Sequence, residues 1–405
     1  MRIAIYHNLP SGGGKRALHE MTRRLAKKHE IDVFSLTSAE HDFGDLRPLV
    51  QHHTVSEFVA WPLVRSPFGR VNQAIYAINL LRLRSTQRSV AAQIDQGKYD
   101  VVFVHNCRFA QAPPLLEFLA TPTAYYCAEP PRVFSEPLHH RLRLQAPSAR
   151  CKLDRFDPLI KMHRHLALHL DAKNTRTATA VLTNSAFSRE NLYRVYGIDA
   201  HLCYLGVDLD TFRFLSLPKE NFVLSVGGIV PQKGFDFLMR SLAHIDSAKR
   251  PRLMIVGNQN NPDERTYLES LALELGVDAQ FCNMISDEEL VRLYNRALLT
   301  VYMPIMEPFG FVPIESMACG TPVVGVREGG VRETVIHEQT GLLADRNPKP
   351  FAAAIESLLS DPVRREVYGQ QGRDIVAKRW SWDQSVNHLE AELSEIANSA
   401  SASFK

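Results

Sequence analysis

The sequence predicts an α/β protein built from two doubly wound, Rossmann-like halves. Three observations lead there. At 405 residues the chain exceeds what one hydrophobic core usually supports. A strand, glycine turn, helix, strand pattern opens at Arg2 and starts afresh at Phe222. Strands alternate with helical stretches throughout, the spacing that parallel sheets need for their crossovers.

In order, Arg2-Ile3-Ala4-Ile5-Tyr6 reads as a buried strand that runs into Ser11-Gly12-Gly13-Gly14. A helix follows from about Lys15 to His29, with Ala17, Leu18, Met21 and Leu25 at helical spacing. Ile31-Asp32-Val33-Phe34-Ser35-Leu36 is the second strand. The turn is not the G-x-G-x-x-G dinucleotide fingerprint, but Gly12, Gly13 and Gly14 expose amides that suit a phosphate or a sugar. Residues 56–95 mix apolar groups with arginines (Arg65, Arg70, Arg82, Arg84, Arg88), either for an anionic bilayer or for packing on the sheet with the charges snorkelling outward.

Strands are expected at 99–105, ending on His105, and at 122–127, ending at Ala128-Glu129-Pro130-Pro131-Arg132. A long basic helical region spans 136–176. Its His163, His165 and His169 lie at i, i+2, i+6, which does not bring three rings to one helix face, so a metal site is rejected there. Domain one is expected to end near 205 and domain two to span 206–381, followed by a last helix over 382–398.

The second half repeats the opening: a strand at 222–226, the loop Gly227-Gly228-Ile229-Val230-Pro231-Gln232-Lys233-Gly234, then a helix. Lys233 sits between a glycine-rich turn and a helix, where a point charge can neutralise a diphosphate. Farther on, Glu307-Pro308-Phe309-Gly310-Phe311-Val312-Pro313-Ile314-Glu315 joins a strand to a helix. Gly310 allows close backbone approach, Pro313 suits a first helical turn, and Gly320 can close the helix. Two carboxylates thus bracket a helix N-terminus whose amides favour anions. A sugar joined to a diphosphate needs both: carboxylates for hydroxyls, amides for phosphate. An isolated E-x7-E pair is usually an ordinary pair of surface glutamates; the surrounding Gly and Pro punctuation sets this one apart.

That segment resembles the donor-site signature of retaining glycosyltransferases of the GT-B, family-4 type, and the resemblance extends over nearly the whole chain. It implies two facing domains with the last helix crossing back to the first. It also implies transfer of a hexose from a nucleoside-diphosphate sugar (GDP-mannose or a UDP-hexose) to an acceptor hydroxyl, on a lipid-linked saccharide or glycan. By resemblance Glu315 holds the ribose hydroxyls and Glu307 those of the sugar, Lys233 stabilises the leaving diphosphate, and Phe309, Gly310 and Phe311 offer backbone amides. The base lies near Met284 and Ile285, and the glycine loop lies against the diphosphate. No metal or other cofactor is implied, and Asp208-Leu209-Asp210 falls in the linker. Two departures stand out. An arginine usual in relatives is Gly228 here, to be replaced by Arg327, Arg332 or the first glycine loop, and a histidine usual beside the sugar is Ala128. His105, Glu129 and Arg132 are the acceptor-side candidates. Gly228 and Ala128 keep open a non-catalytic sugar-nucleotide-binding subunit; a GT-B sugar-nucleotide epimerase is the other alternative, and Ala128 counts against it because an epimerase needs extra acid/base groups near the sugar.

Composition is that of an ordinary globular chain, 45% apolar and 22% charged. Residues 1–205 hold 27 Lys and Arg against 17 Asp and Glu, a net +10, whereas the rest hold 20 against 27, a net −7. The basic half suits an anionic surface or substrate, and no nucleic-acid module is recognisable. Six scattered cysteines, the lack of a membrane-length apolar run and a strand at the N-terminus point to a cytoplasmic protein, with docking at the inner face of the cell membrane as the functional reading of the basic half.

Overall fold

The computed structural model describes residues 1–64, 69–132, 157–257 and 261–403. Two wholly parallel sheets organise them. The first has the order β3-β2-β1-β4-β5-β6-β7, with β1 Arg2–Asn8, β2 Glu30–Leu36, β3 His52–Ser56, β4 Val101–Cys107, β5 Thr123–Tyr126, β6 Ala180–Thr183 and β7 His201–Leu202. The second has the order β10-β9-β8-β11-β12-β13, with β8 Phe222–Val226, β9 Arg252–Gly257, β10 Ala279–Asn283, β11 Leu299–Tyr302, β12 Val323–Val326 and β13 Gly341–Ala344.

Helices around the first sheet are α1 Gly13–Leu25, α2 Gly69–Gln96, α3 Pro158–Thr177 and α4 Ala186–Tyr196. Around the second are α5 Phe235–Leu242, α6 Pro262–Leu275, α7 Asp287–Arg296, α8 Phe311–Ala318, α9 Val331–Thr334, α10 Pro348–Leu359 and α11 Pro362–Arg379, and α12 Trp382–Ser403 closes the chain. The strands are buried on both faces: Ile3, Ile5, Val33, Val101 and Phe103 in one sheet, Val223, Leu224, Ile255, Val301 and Val324 in the other, are all fully buried. In each sheet the order reverses beside its first strand, between β1 and β4 and between β8 and β11. Loops at the carboxyl ends there open a crevice where doubly wound sheets take ligands.

The chain returns to the first sheet through α12. Its Leu389 and Leu393 are fully buried, Glu390 meets Lys28 at 2.7 Å and His29 at 3.1 Å, and His388 reaches the Leu202 carbonyl at 2.7 Å. Where the outgoing chain passes the returning one, a Cβ on Gly206 would lie 2.5 Å from the Trp382 amide nitrogen, so only glycine fits.

Several expected bounds shift. Helix α1 covers Gly13–Leu25 instead of 15–29, because the chain must turn early enough for the Glu30 amide to reach the Met1 carbonyl at 3.1 Å. Among the described residues of the 56–95 stretch, helix is confined to α2. The strand ahead of it is followed by irregular backbone, held by Asn79 to both polar groups of Trp61 and by Asn72 to those of Val64. The arginines of α2 serve the fold: Arg82 bonds the Val59 carbonyl, and Arg84 pairs with Glu117 at 2.8 Å beneath the Phe118 ring. Of the basic helical region, α3 is set by its Asp157 cap, and residues 133–156 lie outside the described residues. Helix α12 continues to Ser403, beyond 398.

Glu333 of α9 links the two sheets. Its carboxylate accepts the amides of Ala186 and Phe187, at the start of α4, at 2.9 and 3.0 Å, and the Tyr204 hydroxyl at 2.9 Å. It acts as a cap supplied from the opposite half. Glu333→Ala should lower stability by about 1–2 kcal/mol, and Tyr204→Phe by less, read as shifts of the chemical denaturation midpoint.

Candidate functional site

The site grows from the loops after β8 and β11. Gly227 and Gly228 end β8, and a single turn, Pro231–Lys233, precedes α5. Gly234 then adopts a left-handed φ of 71°, and a Cβ there would strike the Met303 carbonyl at 2.8 Å. Lys233 consequently folds back with its stem over Gly227, and its Nζ meets Glu307 Oε2 at 2.9 Å. The two residues expected to carry the chemistry thus form one ion pair, each side chain about one quarter exposed (25% and 23%).

Glu307 is presented by a clamped loop. Met306 before it has a left-handed φ of 48°, uncommon outside glycine. Gly329 and Gly330 lie directly on the loop; a Cβ on either would fall 2.4 Å from the Glu307 carbonyl or 2.2 Å from that of Pro308. The Gly330 amide bonds the Glu307 carbonyl at 2.8 Å. Arg346 closes the other side, bonding the carbonyls of Met303 and Pro304 and gripping Glu328 at 2.8 Å. Gly310 follows at φ 91°, where a Cβ would meet the Tyr302 ring at 2.9 Å, and α8 then begins with no side chain capping its N-terminus. Phe309 is buried against Trp380 and Tyr204, which aims the loop without offering its ring to a ligand.

Glu315, in the second turn of α8, is 2% exposed, and both its oxygens are engaged: Arg16 Nη1 donates to Oε1 at 2.9 Å, and the Tyr294 hydroxyl to Oε2 at 2.9 Å. Burial and the neighbouring carboxylate hold the Tyr294 hydroxyl protonated, well above its usual range. Arg16 belongs to α1, so this bond joins the halves. At the same place a Cβ on Gly13 would touch the Phe311 ring at 3.4 Å, so the glycine loop after β1 lies against the start of α8. Gly12 and Gly14 continue the loop, with open space around the first. Met284 is 78% exposed at a left-handed φ of 53°, just past β10, with partly buried Ile285 behind it.

The acceptor-side candidates divide. Arg132 donates to the Ile305 carbonyl at 2.7 Å, two residues before Glu307, and stands 3.7 Å from Glu129. Those two therefore border the donor loop. His105 does not reach it: the ring is buried, stacked 5.3 Å from Tyr126 and edge-on to Phe103 at 4.5 Å. Burial, aided by the charge of Lys15, pushes it down to about 3, so it is neutral at physiological pH. Of the cations considered as substitutes at Gly228, Arg327 is turned to the Leu343 carbonyl and Arg332 to that of Gly329. Sequence reasoning passed over Arg16, Tyr294 and Arg346. Only Arg16 had a signal, its place beside the glycine turn.

Among the described residues no group of three or more His, Cys, Asp or Glu is placed to hold a metal, no helix is long and apolar enough to cross a membrane, and five cysteines are unpaired.

A glycine-turned crevice in each of two facing parallel sheets, with the last helix returning to the first, is the GT-B architecture. Residues 11–211 match Glycosyltransferase Family 4, and residues 208–375 match Glycosyl transferases group 1. The chain belongs to the GT-B glycosyltransferases of this family-4 type. It is similar to a D-inositol 3-phosphate glycosyltransferase of Acidothermus cellulolyticus, 29% identical over 94% of this chain and 84% of that one. It is also similar to an uncharacterized glycosyltransferase of Methanocaldococcus jannaschii, 35% identical over 40% of this chain and 42% of that one. Among solved structures it shares the fold of sucrose-phosphate synthase from Thermosynechococcus elongatus, with TM-score 0.74 and 22% identity over 98% and 99% of the two chains. Anabaena HepE in complex with UDP-glucose follows at TM-score 0.68 and 17% identity over 98% and 100%.

Lys15 gives the site a pH signature. Its side chain is wholly buried, 3.4 Å from His7 Nε2, and burial holds it down to about 8 from an ordinary 10.5, partly offset by Asp45 and Glu40. Between those values the unfolded chain binds a proton that the folded one does not, so stability rises with pH across the window. Relative to Lys15→Met, wild type should gain roughly 3 kcal/mol between pH 8 and 10.5, measured by denaturation at each pH.

Proposed function

We propose that this glycosyltransferase moves a hexose, with retention of anomeric configuration and without a metal, from a nucleoside-diphosphate sugar to an acceptor hydroxyl. The observation that carries the reading is the Lys233–Glu307 pair at the crevice between β8 and β11, with Glu315 on the helix beyond it. Each partner of the pair has a natural exchange. The leaving diphosphate takes the Lys233 ammonium, and the sugar hydroxyls take the Glu307 carboxylate. The uncapped start of α8 adds amides toward phosphate. Glu315 and the exposed turn at Met284 serve ribose and base.

In this scheme the acceptor oxygen bonds to the anomeric carbon on the face from which the diphosphate leaves. The carbon–oxygen bond to phosphate breaks, and the acceptor proton passes to the departing phosphate oxygen. Lys233 stabilises charge that grows along this path, which lowers the barrier and does not merely bind substrate. A UDP-hexose is the first donor to try, following the fold neighbour solved with UDP-glucose, with GDP-mannose second.

The acceptor is a lipid-linked saccharide or glycan, handled from the Arg132 and Glu129 side. Docking at an anionic bilayer is supported by α3, whose Leu159, Met162 and Leu166 are 40%, 62% and 48% exposed at helical spacing beside Lys161. Wild type should float with anionic liposomes at low salt and Met162→Glu should not; a wild type that stays in the soluble fraction removes the membrane part.

A donor at about 100 times its dissociation constant should stabilise the protein by about 2.7 kcal/mol in thermal unfolding, an effect lost in Glu315→Ala. Lys233→Ala should cut kcat by about 10²–10³-fold, and the anomeric proton coupling of the product should match that of the donor. A donor that binds without any sugar release would favour the non-catalytic subunit.

A further inference from the structure

We propose that the cavity between α2 and α3 binds a neutral, apolar group that carries a hydrogen-bond donor, and that this group is the aglycone of a glycolipid acceptor. The aglycone role rests on the transfer reaction proposed above, whereas the cavity's ligand chemistry stands without it. The cavity holds about 630 Å³, within the ordinary range for a small-molecule site. Helical spacing builds two of its walls. Gln73, Tyr76, Leu80 and Arg84 line it from α2, and Ile160, His163, Ala167, Leu170 and Asn174 from α3, each set recurring every three or four residues. The loop after β4 supplies a third wall with Phe109, Ala110 and Ala112.

The charged groups of the lining are spent on the protein. Arg84 and Glu117 pair at 2.8 Å, Arg108 donates to the Ser38 carbonyl at 3.0 Å, and Asp171 accepts the Ala112 amide and the Tyr196 hydroxyl. Arg164 is likewise not free. What is left for a ligand is apolar, and an unpaired charge would be costly there. Two amide oxygens interrupt that surface. Asn174 is 3% exposed, and its Nδ2 donates to the Ala112 carbonyl at 3.1 Å, but its Oδ1 is buried without a partner. Gln73 Oε1 is in the same state. Buried acceptors of this kind call for a hydroxyl or amide N–H on whatever fills the cavity.

One segment ties the cavity to the donor loop. Pro131 lines it, and Gln111, also in the lining, bonds the Glu129 carbonyl at 3.0 Å. Arg132 then reaches the Ile305 carbonyl, in the loop that presents Glu307. An acceptor with its apolar part in the cavity and its sugar beside Glu129 and Arg132 would therefore meet the donor. On the outside of α3, Leu159, Met162 and Leu166 are exposed, each one residue ahead of a lining residue, so the apolar outer stripe adjoins the cavity wall.

The test measures binding of hexan-1-ol, octan-1-ol and decan-1-ol by calorimetry, with octanoate and methyl heptyl ether beside octan-1-ol. Each added pair of methylenes should tighten binding about tenfold. Octanoate, which is charged, should bind at least about tenfold more weakly than octan-1-ol. The ether, an isomer of octan-1-ol with no donor, should bind about 2–10-fold more weakly. Ala167→Phe on α3 and Ala110→Leu after β4 fill the cavity from two different elements. Each should weaken decan-1-ol binding at least about tenfold while the circular dichroism stays that of wild type. Affinity that ignores chain length, or that both folded variants leave unchanged, overturns the site, and equal binding of alcohol and ether overturns the donor contact. For the aglycone role, transfer from whichever donor stabilises wild type is compared for methyl and decyl glycosides of glucose and mannose. The decyl glycosides should have at least about a tenfold advantage in kcat/KM, lost in Ala167→Phe. Equal use of methyl and decyl glycosides, or use of neither by an enzyme that binds decan-1-ol, overturns the aglycone role. If no donor stabilises wild type, the transfer reading fails and takes the aglycone role with it, and the alcohol series still decides the cavity.

Discussion

A carboxylate inside a water-poor cleft is stable only while something positive or hydrogen-bonding holds each oxygen, and this condition shapes the whole site. Glu307 is met by Lys233 and Glu315 by Arg16 and Tyr294. The cations come from different halves, Lys233 from the loop after β8 and Arg16 from the helix after β1. One pair lies within the second half, and the other joins the two halves.

The loop carrying Glu307 is held by backbone contacts on every side. Gly329 and Gly330 press against it, Arg346 takes two of its carbonyls, and Gly310 lets it pass Tyr302. Together they keep the carboxylate in position at the cost of a left-handed Met306. Glu333 adds a second tie between the halves, so that α4 of the first is capped from α9 of the second.

Lys233, Glu307 and Gly310 lie on loops after β8 and β11 and Glu315 on the helix that follows β11, and doubly wound sheets gather such segments at one edge. That Lys233 and Glu307 would be neighbours was legible for that reason. His105 lies near the end of a strand at the same edge, and its ring turns into the layer between Phe103 and Tyr126. A strand end fixes where a residue is, and side-chain direction then depends on neighbours whose identity lies far away in the chain.

By itself the sequence determined the two sheets, their glycine turns and the family, since strand periodicity, turn chemistry and short motifs are local properties of the chain. It did not determine that Lys233 and Glu307 neutralise each other, that Arg346 grips the donor loop, or that Arg16 fills the space beside Glu315. Those partners lie 74, 42 and 299 positions apart. A long cationic side chain carries no local mark of its partner; only packing the two halves together decides which carboxylate or carbonyl comes within its reach.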